Sequence, residues 1–303
     1  MLERKPLTWF IIIAFAVSWP LFLSTLLFRD LEPATRQLAT QGLWALAMWG
    51  PGIAALIATL AVAKQPFRSL RLNTLGPKRY YLWAWLLPPV LVILSGLLTV
   101  LIRTGQLDTE FTFMQQQLEA TGTQLPISTG MLVLIQIGQA LILGPLINII
   151  FAMGEELGWR GFLLPKLMPL GQWKALIISG AIWGIWHAPA IAQGHNYPDQ
   201  PILGIFLMTV FCILLGIIIG WMYLNTRSPW VAALAHGSIN AWAGLPFLFL
   251  KPGFDTALAG TLTSIPGWVV MGLFIVWLVL SKRLPVQVQG DAQSVGIDNN
   301  LND

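Results

Sequence analysis

The chain has 303 residues, of which 56% are apolar and only 10% are charged, and its mean hydropathy is +0.70. This balance excludes an ordinary soluble domain, and we attribute the net charge of +4 to membrane topology rather than to nucleic-acid binding. The single cysteine, Cys212, excludes an internal disulfide, and we interpret it as a small buried apolar residue.

Eight apolar runs follow one another along the chain, most of them long enough for a helix across the roughly 30 Å hydrocarbon core of a bilayer. The fifth run is short and is interrupted by His187 and Pro189. The sequence therefore predicts an all-α, polytopic membrane protein with about eight transmembrane helices, the first of which we interpret as a retained helix rather than a signal peptide. The runs cover residues 7–28, 42–63, 80–102, 131–153, 174–191, 202–224, 229–249 and 265–281.

Lysine and arginine are distributed unevenly between the predicted inner and outer segments. With the amino terminus inside, the outer segments carry only four of the seventeen basic residues, namely Arg29, Arg36, Arg103 and Lys251. By the positive-inside rule, this bias predicts that both termini are cytoplasmic, in the cell membrane if the protein is bacterial.

The polar side chains that could perform chemistry are confined to about 130–250, which we predict to be a catalytic core of helices in the second half of the chain. The preceding residues 1–129 supply transmembrane helices and an outer loop, in which 108–120 has the composition of a surface helix. Residues 251–285 contain the last transmembrane helix, and 286–303 are predicted to be a disordered polar tail.

The chain keeps charge out of its hydrophobic runs except at Glu155, Glu156 and Arg160. An ionisable group at the bilayer centre costs roughly 2.5–3.5 kcal/mol, so these three residues are candidates for a functional role. Glu156 and Arg160 are four residues apart with the acid first, the arrangement that favours an intrahelical ion pair. Glu155 then points about 100° away from that pair, toward another helix. We predict that the pair is structural and that Glu155 is the reactive carboxylate; a purely structural network of all three groups is the alternative.

Two later apolar runs each carry a pair of residues four apart, Trp183 with His187 and His236 with Asn240, so each pair lies on one helical face. Asn240 is suited either to orient the imidazole or to donate to a developing oxyanion. Each pair alone is equally explained by an ordinary interhelical contact, but together with the glutamates they predict one cavity below the cytoplasmic surface. We interpret His195, in an outer loop, as an ordinary loop histidine.

Two hydrolytic chemistries fit these residues. In the first, His187, His236 and Glu155 hold a divalent metal such as zinc, which activates water. In the second, Glu155 and His187 activate water directly, while His236 and Asn240 stabilise the oxyanion. The sequence contains no HExxH motif, so we favour the metal-free chemistry and predict no certain cofactor.

The sequence EELGWRGFLLP at 155–165 resembles the EExxxR motif of the CAAX protease and bacteriocin-processing family (CPBP, or Abi) of intramembrane proteases. Residues 183–187 resemble the FxxxH motif of that family, with Trp in place of Phe, and residues 236–240 resemble its HxxxN motif. The three motifs occur in the order of the family and cover about 130–250, whereas the flanking helices carry no diagnostic motif.

This resemblance implies that Glu155 is the water-activating base, that His187 is its partner, and that His236 and Asn240 form the oxyanion or ligand pair. It implies supporting roles for Glu156, Arg160 and Trp183. The expected substrate is a lipidated or membrane-embedded peptide or protein, such as a prenylated CAAX protein or a bacteriocin, and the expected partners are membrane lipids and no nucleic acid.

Two other functions fit parts of the pattern. A catalytically silent binding or immunity protein would use the same scaffold, but it would have no need to retain the complete set of catalytic residues. A proton-coupled transporter also places Glu and His within the membrane, but it would be expected to show paired half-repeats with broken helices, which the sequence lacks.

Overall fold

A computed structural model describes residues 2–120, 122 and 126–287. Within these residues the chain is helical apart from turns, loops and one isolated antiparallel bridge between Leu107 and Leu250, which confirms the all-α prediction. The predicted polar tail lies outside the described residues beyond 287. The α-helices in chain order are α1 (Arg4–Ser24), α2 (Pro33–Ala47), α3 (Gly50–Ile57), α4 (Arg79–Leu101), α5 (Thr112–Ala120), α6 (Thr129–Leu141), α7 (Leu143–Glu156), α8 (Leu164–Leu167), α9 (Gln172–Trp186), α10 (Ala188–Ile191), α11 (Pro201–Thr226), α12 (Pro229–Trp242) and α13 (Ile265–Leu280).

Several short segments depart from α-helical geometry. Two are wider π-helical segments, Ala58–Val62 and Leu157–Leu163, and the second follows α7 directly within the EELGWRG sequence. Such segments are frequently found at functional sites, because they change the direction in which successive side chains point. The remaining segments are 3₁₀-helical: Thr25–Phe28, Phe67–Leu70, Met168–Leu170 and Leu245–Phe249.

The helices differ in how well their lengths match a bilayer. Among the described residues, four helical stretches are long and apolar enough to cross a membrane: Arg4–Phe28, Pro33–Val62, Arg79–Leu101 and Pro201–Thr226. A fifth span results if α6 and the helical stretch that follows it, bent by 48°, are taken together. Each of the eight predicted runs is helical, and the polytopic membrane architecture is confirmed, but the count of eight complete spans remains a prediction.

Each helix that carries a motif is packed closely, backbone to backbone, against a neighbouring helix. The most extensive helix contacts are those of α12 with α7 and of α11 with α9. Glycine permits both, since a methyl group on Gly237 would lie 3.0 Å from the nitrogen of Ile149, and one on Gly180 would lie 2.6 Å from the Cα of Ile213. Small residues at helix interfaces are the usual means of close packing in membranes.

The N-terminal helices brace the segment that follows α7. A methyl group on Gly158 would lie 2.5 Å from the Cβ of Pro51, so α3 contacts the π-helical segment closely. From α1, the ring of Phe10 stacks on Phe162 at 4.9 Å and meets Trp159 edge-on at 5.7 Å. The predicted N-terminal scaffold is therefore in direct contact with the EExxxR motif.

The segment predicted to lie outside contains the expected surface helix, which begins at Thr112. Asp108 is buried and caps the preceding turn, because its two carboxylate oxygens accept hydrogen bonds from the backbone N–H groups of Glu110 (3.0 Å) and Thr112 (2.7 Å). The ring of Phe111 packs edge-on against Phe249 at 5.5 Å. This segment therefore lies against the residues that follow α12.

Candidate active site

Glu155 lies in the last turn of α7 and is only 2% exposed. One of its oxygens, Oε2, accepts hydrogen bonds from the indole N–H groups of Trp183 (2.6 Å) and Trp159 (3.3 Å). Trp159 is one helical turn further along, and Trp183 comes from α9. The carboxylate therefore points toward α9, as its offset from the Glu156–Arg160 pair predicts, and two rigid donors fix its orientation.

The neighbouring Glu156 is fully buried and has a different set of partners. Its Oε1 lies 2.7 Å from Nη1 of Arg160 and 2.9 Å from Nδ1 of His236. The intrahelical ion pair is the one that the four-residue spacing predicts, whereas the link to His236 on α12 joins residues 80 positions apart. Glu156 therefore connects the EExxxR and HxxxN motifs directly.

Arg160 is 2% exposed, so its charge must be compensated by protein groups. In addition to the Glu156 carboxylate, the face of the Trp183 indole lies below the guanidinium, with 4.4 Å between Cζ and the ring centroid. The buried cation is thus held between a carboxylate and an aromatic face.

His187 directly follows α9 and is half-buried. Its Nδ1 lies 2.9 Å from the carbonyl oxygen of Trp183, and because a carbonyl only accepts, Nδ1 must carry a proton. A neutral His187 then has its lone pair on Nε2. The end of α9 is fixed by a hydrogen bond from Trp19 of α1 to the carbonyl oxygen of Trp186 (3.1 Å), and Cys212 Sγ lies 3.9 Å from the same Nδ1.

Trp183 lies at the centre of the cluster. It donates its N–H to Glu155 and supports the guanidinium of Arg160, and its ring centroid lies 5.8 Å from that of His187 and 5.3 Å from that of His236. The supporting role that the resemblance implies for Trp183 therefore includes a hydrogen bond to Glu155. The phenylalanine usual in the FxxxH motif has no N–H and could not make this contact.

Asn240 does not join this cluster. Its side chain is exposed and makes no hydrogen bond with the part of the chain that the structure describes, so the ring of His236 is oriented by Glu156 and not by Asn240. His195 is also exposed, and its ring meets Trp44 at 4.7 Å. The six residues brought together are Glu155, Glu156, Arg160, Trp183, His187 and His236.

One contributor, Trp159, was not singled out from the sequence. It lies four residues after Glu155, and the same spacing that predicts the Glu156–Arg160 pair would have identified it as a hydrogen-bond donor. When tryptophan in a membrane helix is treated as a purely apolar residue, its N–H group is overlooked, although buried indoles generally donate it in a hydrogen bond.

The described residues do not form a preassembled three-ligand metal site. Among the described residues, no group of three or more histidine, cysteine, aspartate and glutamate side chains is placed to hold a metal ion. The three residues predicted as ligands for a metal each have another partner. Glu155 accepts two indole donors on Oε2, Nδ1 of His236 faces Glu156, and Nδ1 of His187 faces a backbone carbonyl. The zinc alternative thus has no preformed ligand set among the described residues, and it remains a prediction to be tested.

Comparison with known proteins identifies the segment that contains these motifs. Residues 136–242 match the family model described as Type II CAAX prenyl endopeptidase Rce1-like. Over 95 residues the chain is 38% identical to CAAX prenyl protease 2 from Methanococcus maripaludis, and the match covers 28% of this chain and 34% of that relative. The chain thus spans about a third of the length of the curated relative that it matches. All three motifs lie within the matched residues, so both comparisons support the resemblance to the CPBP family seen in the motifs.

Proposed function

We propose that the protein is an intramembrane endopeptidase in which Glu155 activates a water molecule to hydrolyse a peptide bond. The observation that carries this proposal is the kind of partner that holds the Glu155 carboxylate. Its Oε2 accepts hydrogen bonds from two neutral indole N–H groups, and its Oε1 accepts none from any described residue. Glu156 also has one oxygen without a partner among the described residues, but its other oxygen is paired with Arg160. A buried carboxylate with one oxygen fixed and the other available is suited to take a proton from water.

The reaction would begin when water gives a proton to Oε1 of Glu155 and its oxygen attacks the carbonyl carbon of the substrate. Nε2 of His187 has the lone pair needed to orient that water, because the proton of a neutral ring is on Nδ1. Collapse of the tetrahedral intermediate breaks the C–N bond, and the proton on Glu155 passes to the leaving amine. Both products are then neutral at the reacting atoms, and the carboxylate is regenerated.

The oxyanion of that intermediate requires a donor. His236 donates a hydrogen bond from Nδ1 to Glu156. When the ring is protonated, Nε2–H is left to donate to the substrate oxygen, and the Glu156 carboxylate stabilises the positive charge of the ring. Asn240 would join this pair only after its side chain turns toward His236, which substrate binding would have to bring about. We therefore assign the oxyanion role to His236 first and to Asn240 second.

We propose that the substrate is a lipidated or membrane-embedded peptide that reaches the site within the bilayer. The names of the matched family and of the archaeal relative refer to CAAX prenyl substrates, which supports a prenylated peptide as the first to test. The proposed cytoplasmic orientation is supported by Lys166, whose Nζ lies 2.7 Å from Oε1 of Glu3 and 3.1 Å from Oε1 of Gln65. These contacts bring the amino terminus and two predicted inner segments to one end of the protein.

The test is cleavage of a fluorogenic, lipid-anchored peptide library by the full chain in nanodiscs. Wild type should cut at least one peptide, and Glu155→Gln should lower turnover by a factor of about 10² to 10⁴, the usual contribution of a general base. Glu110→Gln, which changes an exposed glutamate of the outer segment, is the matched control and should retain full activity.

A chelator added to wild type distinguishes the two chemistries. Undiminished turnover would support water activated by Glu155 alone, whereas loss that added zinc restores would establish the metal alternative. If folded wild type cuts no peptide of the library, the endopeptidase proposal fails and the binding or immunity protein becomes the better account.

A further inference from the structure

A second feature of the molecule lies on the flank formed by α4 and α13, and it contains none of the motif residues. A groove of about 610 Å³ runs between these two helices. Its lining is apolar and extends from Trp83 to Leu101, which at 1.5 Å per helical residue is about 27 Å, close to the thickness of the hydrocarbon core. The side chains that form its walls include Leu91, Leu94 and Leu98 of α4 and Val270, Leu273 and Trp277 of α13.

A cavity of about 410 Å³ adjoins one end of this groove, and Trp83 lines both. This is the end at which α4 begins and α13 has just finished. Unlike the groove, the cavity is lined by basic and polar side chains, because Arg79, Lys282 and Arg283 come together there from the two helix ends. An apolar channel of membrane length therefore opens into a basic pocket.

The basic residues of this pocket have no counter-charge among the residues that the structure describes. Within that part of the chain, no carboxylate lines the cavity and none of the three cations forms an ion pair. Two of them are held in place by aromatic rings instead, with Arg283 Cζ 4.9 Å from the Trp277 centroid and Arg79 Cζ 5.3 Å from that of Tyr80. Three like charges in one pocket repel each other, and a bound anion would remove that repulsion.

We propose that the α4–α13 groove and its basic pocket bind one anionic phospholipid. An acyl chain would lie between α4 and α13, and the phosphate would contact Arg79, Lys282 and Arg283. The charge of the pocket selects an anionic headgroup over a zwitterionic one, and its continuity with the groove selects a lipid over free phosphate. The predicted inner location of these residues agrees, since basic residues at the cytoplasmic surface attract anionic lipids.

The test compares lipids retained by the purified full chain. Protein is equilibrated with equal amounts of phosphatidylglycerol and phosphatidylcholine, washed with detergent and examined by native mass spectrometry. Wild type should retain one phosphatidylglycerol. Each basic side chain strengthens the binding of an anionic lipid about fivefold. In the triple variant Arg79→Gln, Lys282→Gln, Arg283→Gln, the ratio of retained phosphatidylglycerol to phosphatidylcholine should therefore fall at least about tenfold.

A matched control removes the same number of exposed basic residues from other helices, in the variant Lys5→Gln, Arg68→Gln, Lys174→Gln. It should retain the preference of wild type. A second variant, Leu94→Trp with Leu273→Trp, fills the groove while the basic pocket stays intact, and it too should lose the bound lipid. Monodispersity and melting temperature check that each variant is folded, and single substitutions replace the triple variant if it is not.

Three outcomes would overturn the proposal. The first is equal retention of the two lipids by wild type, and the second is equal loss of preference in the control variant. The third is displacement of the lipid by excess inorganic phosphate or by a prenylated peptide, which would assign the pocket to a free anion or to the substrate.

Discussion

Glu155 and Glu156 are adjacent in the sequence and equally buried, yet their surroundings differ. Each carboxylate has one oxygen without a partner among the described residues, but the other oxygen of Glu155 accepts two neutral indole donors, whereas that of Glu156 faces an arginine and a histidine. A buried carboxylate paired with a buried arginine acts as a structural anchor. A carboxylate held only by neutral donors remains available to a substrate, so environment and not residue type separates the two roles.

The largest effect on stability is expected when Arg160, the cation paired with Glu156, is removed. Arg160→Met should destabilise the protein by about 3–5 kcal/mol, because it leaves a buried carboxylate without its main counter-charge. Unfolding followed in mixed micelles measures the effect. The double variant Arg160→Met, Glu156→Gln should recover part of the loss, and a double variant no more stable than the single one would contradict the ion-pair account.

A smaller effect is expected from removal of a donor on the Glu155 side. Trp183→Phe restores the phenylalanine usual in the family motif, keeps an aromatic ring below Arg160 and deletes the 2.6 Å hydrogen bond to Glu155. A hydrogen bond to a charged group contributes about 1.5–3 kcal/mol, so kcat should fall about 10- to 100-fold.

A role in positioning Glu155 predicts that KM for the lipid-anchored peptide changes little in Trp183→Phe. The matched variant is Trp159→Phe, whose hydrogen bond is longer at 3.3 Å, and we expect it to lower kcat less. If Trp183→Phe left kcat unchanged, the indole would be a packing residue and not a positioning one.

The smallest effect is expected when the close packing of α3 against the π-helical segment that follows the two glutamates is disturbed. Gly158→Ala places a methyl group 2.5 Å from Pro51 and should cost about 1–3 kcal/mol as α3 is pushed away from the π-helical segment. Gly138→Ala, where the structure offers open space on α6, is the control and should not lower the melting temperature. Equal melting temperatures for both variants would show that α3 does not brace the motif.

Features set by neighbouring residues could be predicted from the sequence. The Glu156–Arg160 pair and the direction of Glu155 follow from the geometry of a single helix, so the order of the chain is sufficient. Likewise, the eight helical runs follow from hydropathy, because a bilayer requires continuous apolar segments.

Features that depend on how helices meet could not be predicted. The contact between Glu156 and His236 joins residues 80 positions apart, and Asn240 is separated from the cluster by the rotation of α12. The π-helical segment after Glu156 has no recognisable pattern in the sequence, and hydropathy does not reveal that α9 and α12 have only 15 and 14 residues. In each case tertiary packing, and not local preference, decides the outcome.

The central claim is that the two adjacent glutamates have separate roles, and one matched pair of variants tests it. Glu155→Gln and Glu156→Gln make the same isosteric change at neighbouring buried positions, and each is measured for peptide turnover and for melting temperature in nanodiscs. We predict that Glu155→Gln lowers turnover by a factor of about 10² to 10⁴ with little change in melting temperature, and that Glu156→Gln lowers the melting temperature markedly. Full turnover in Glu155→Gln, or an unchanged melting temperature in Glu156→Gln, would contradict the account.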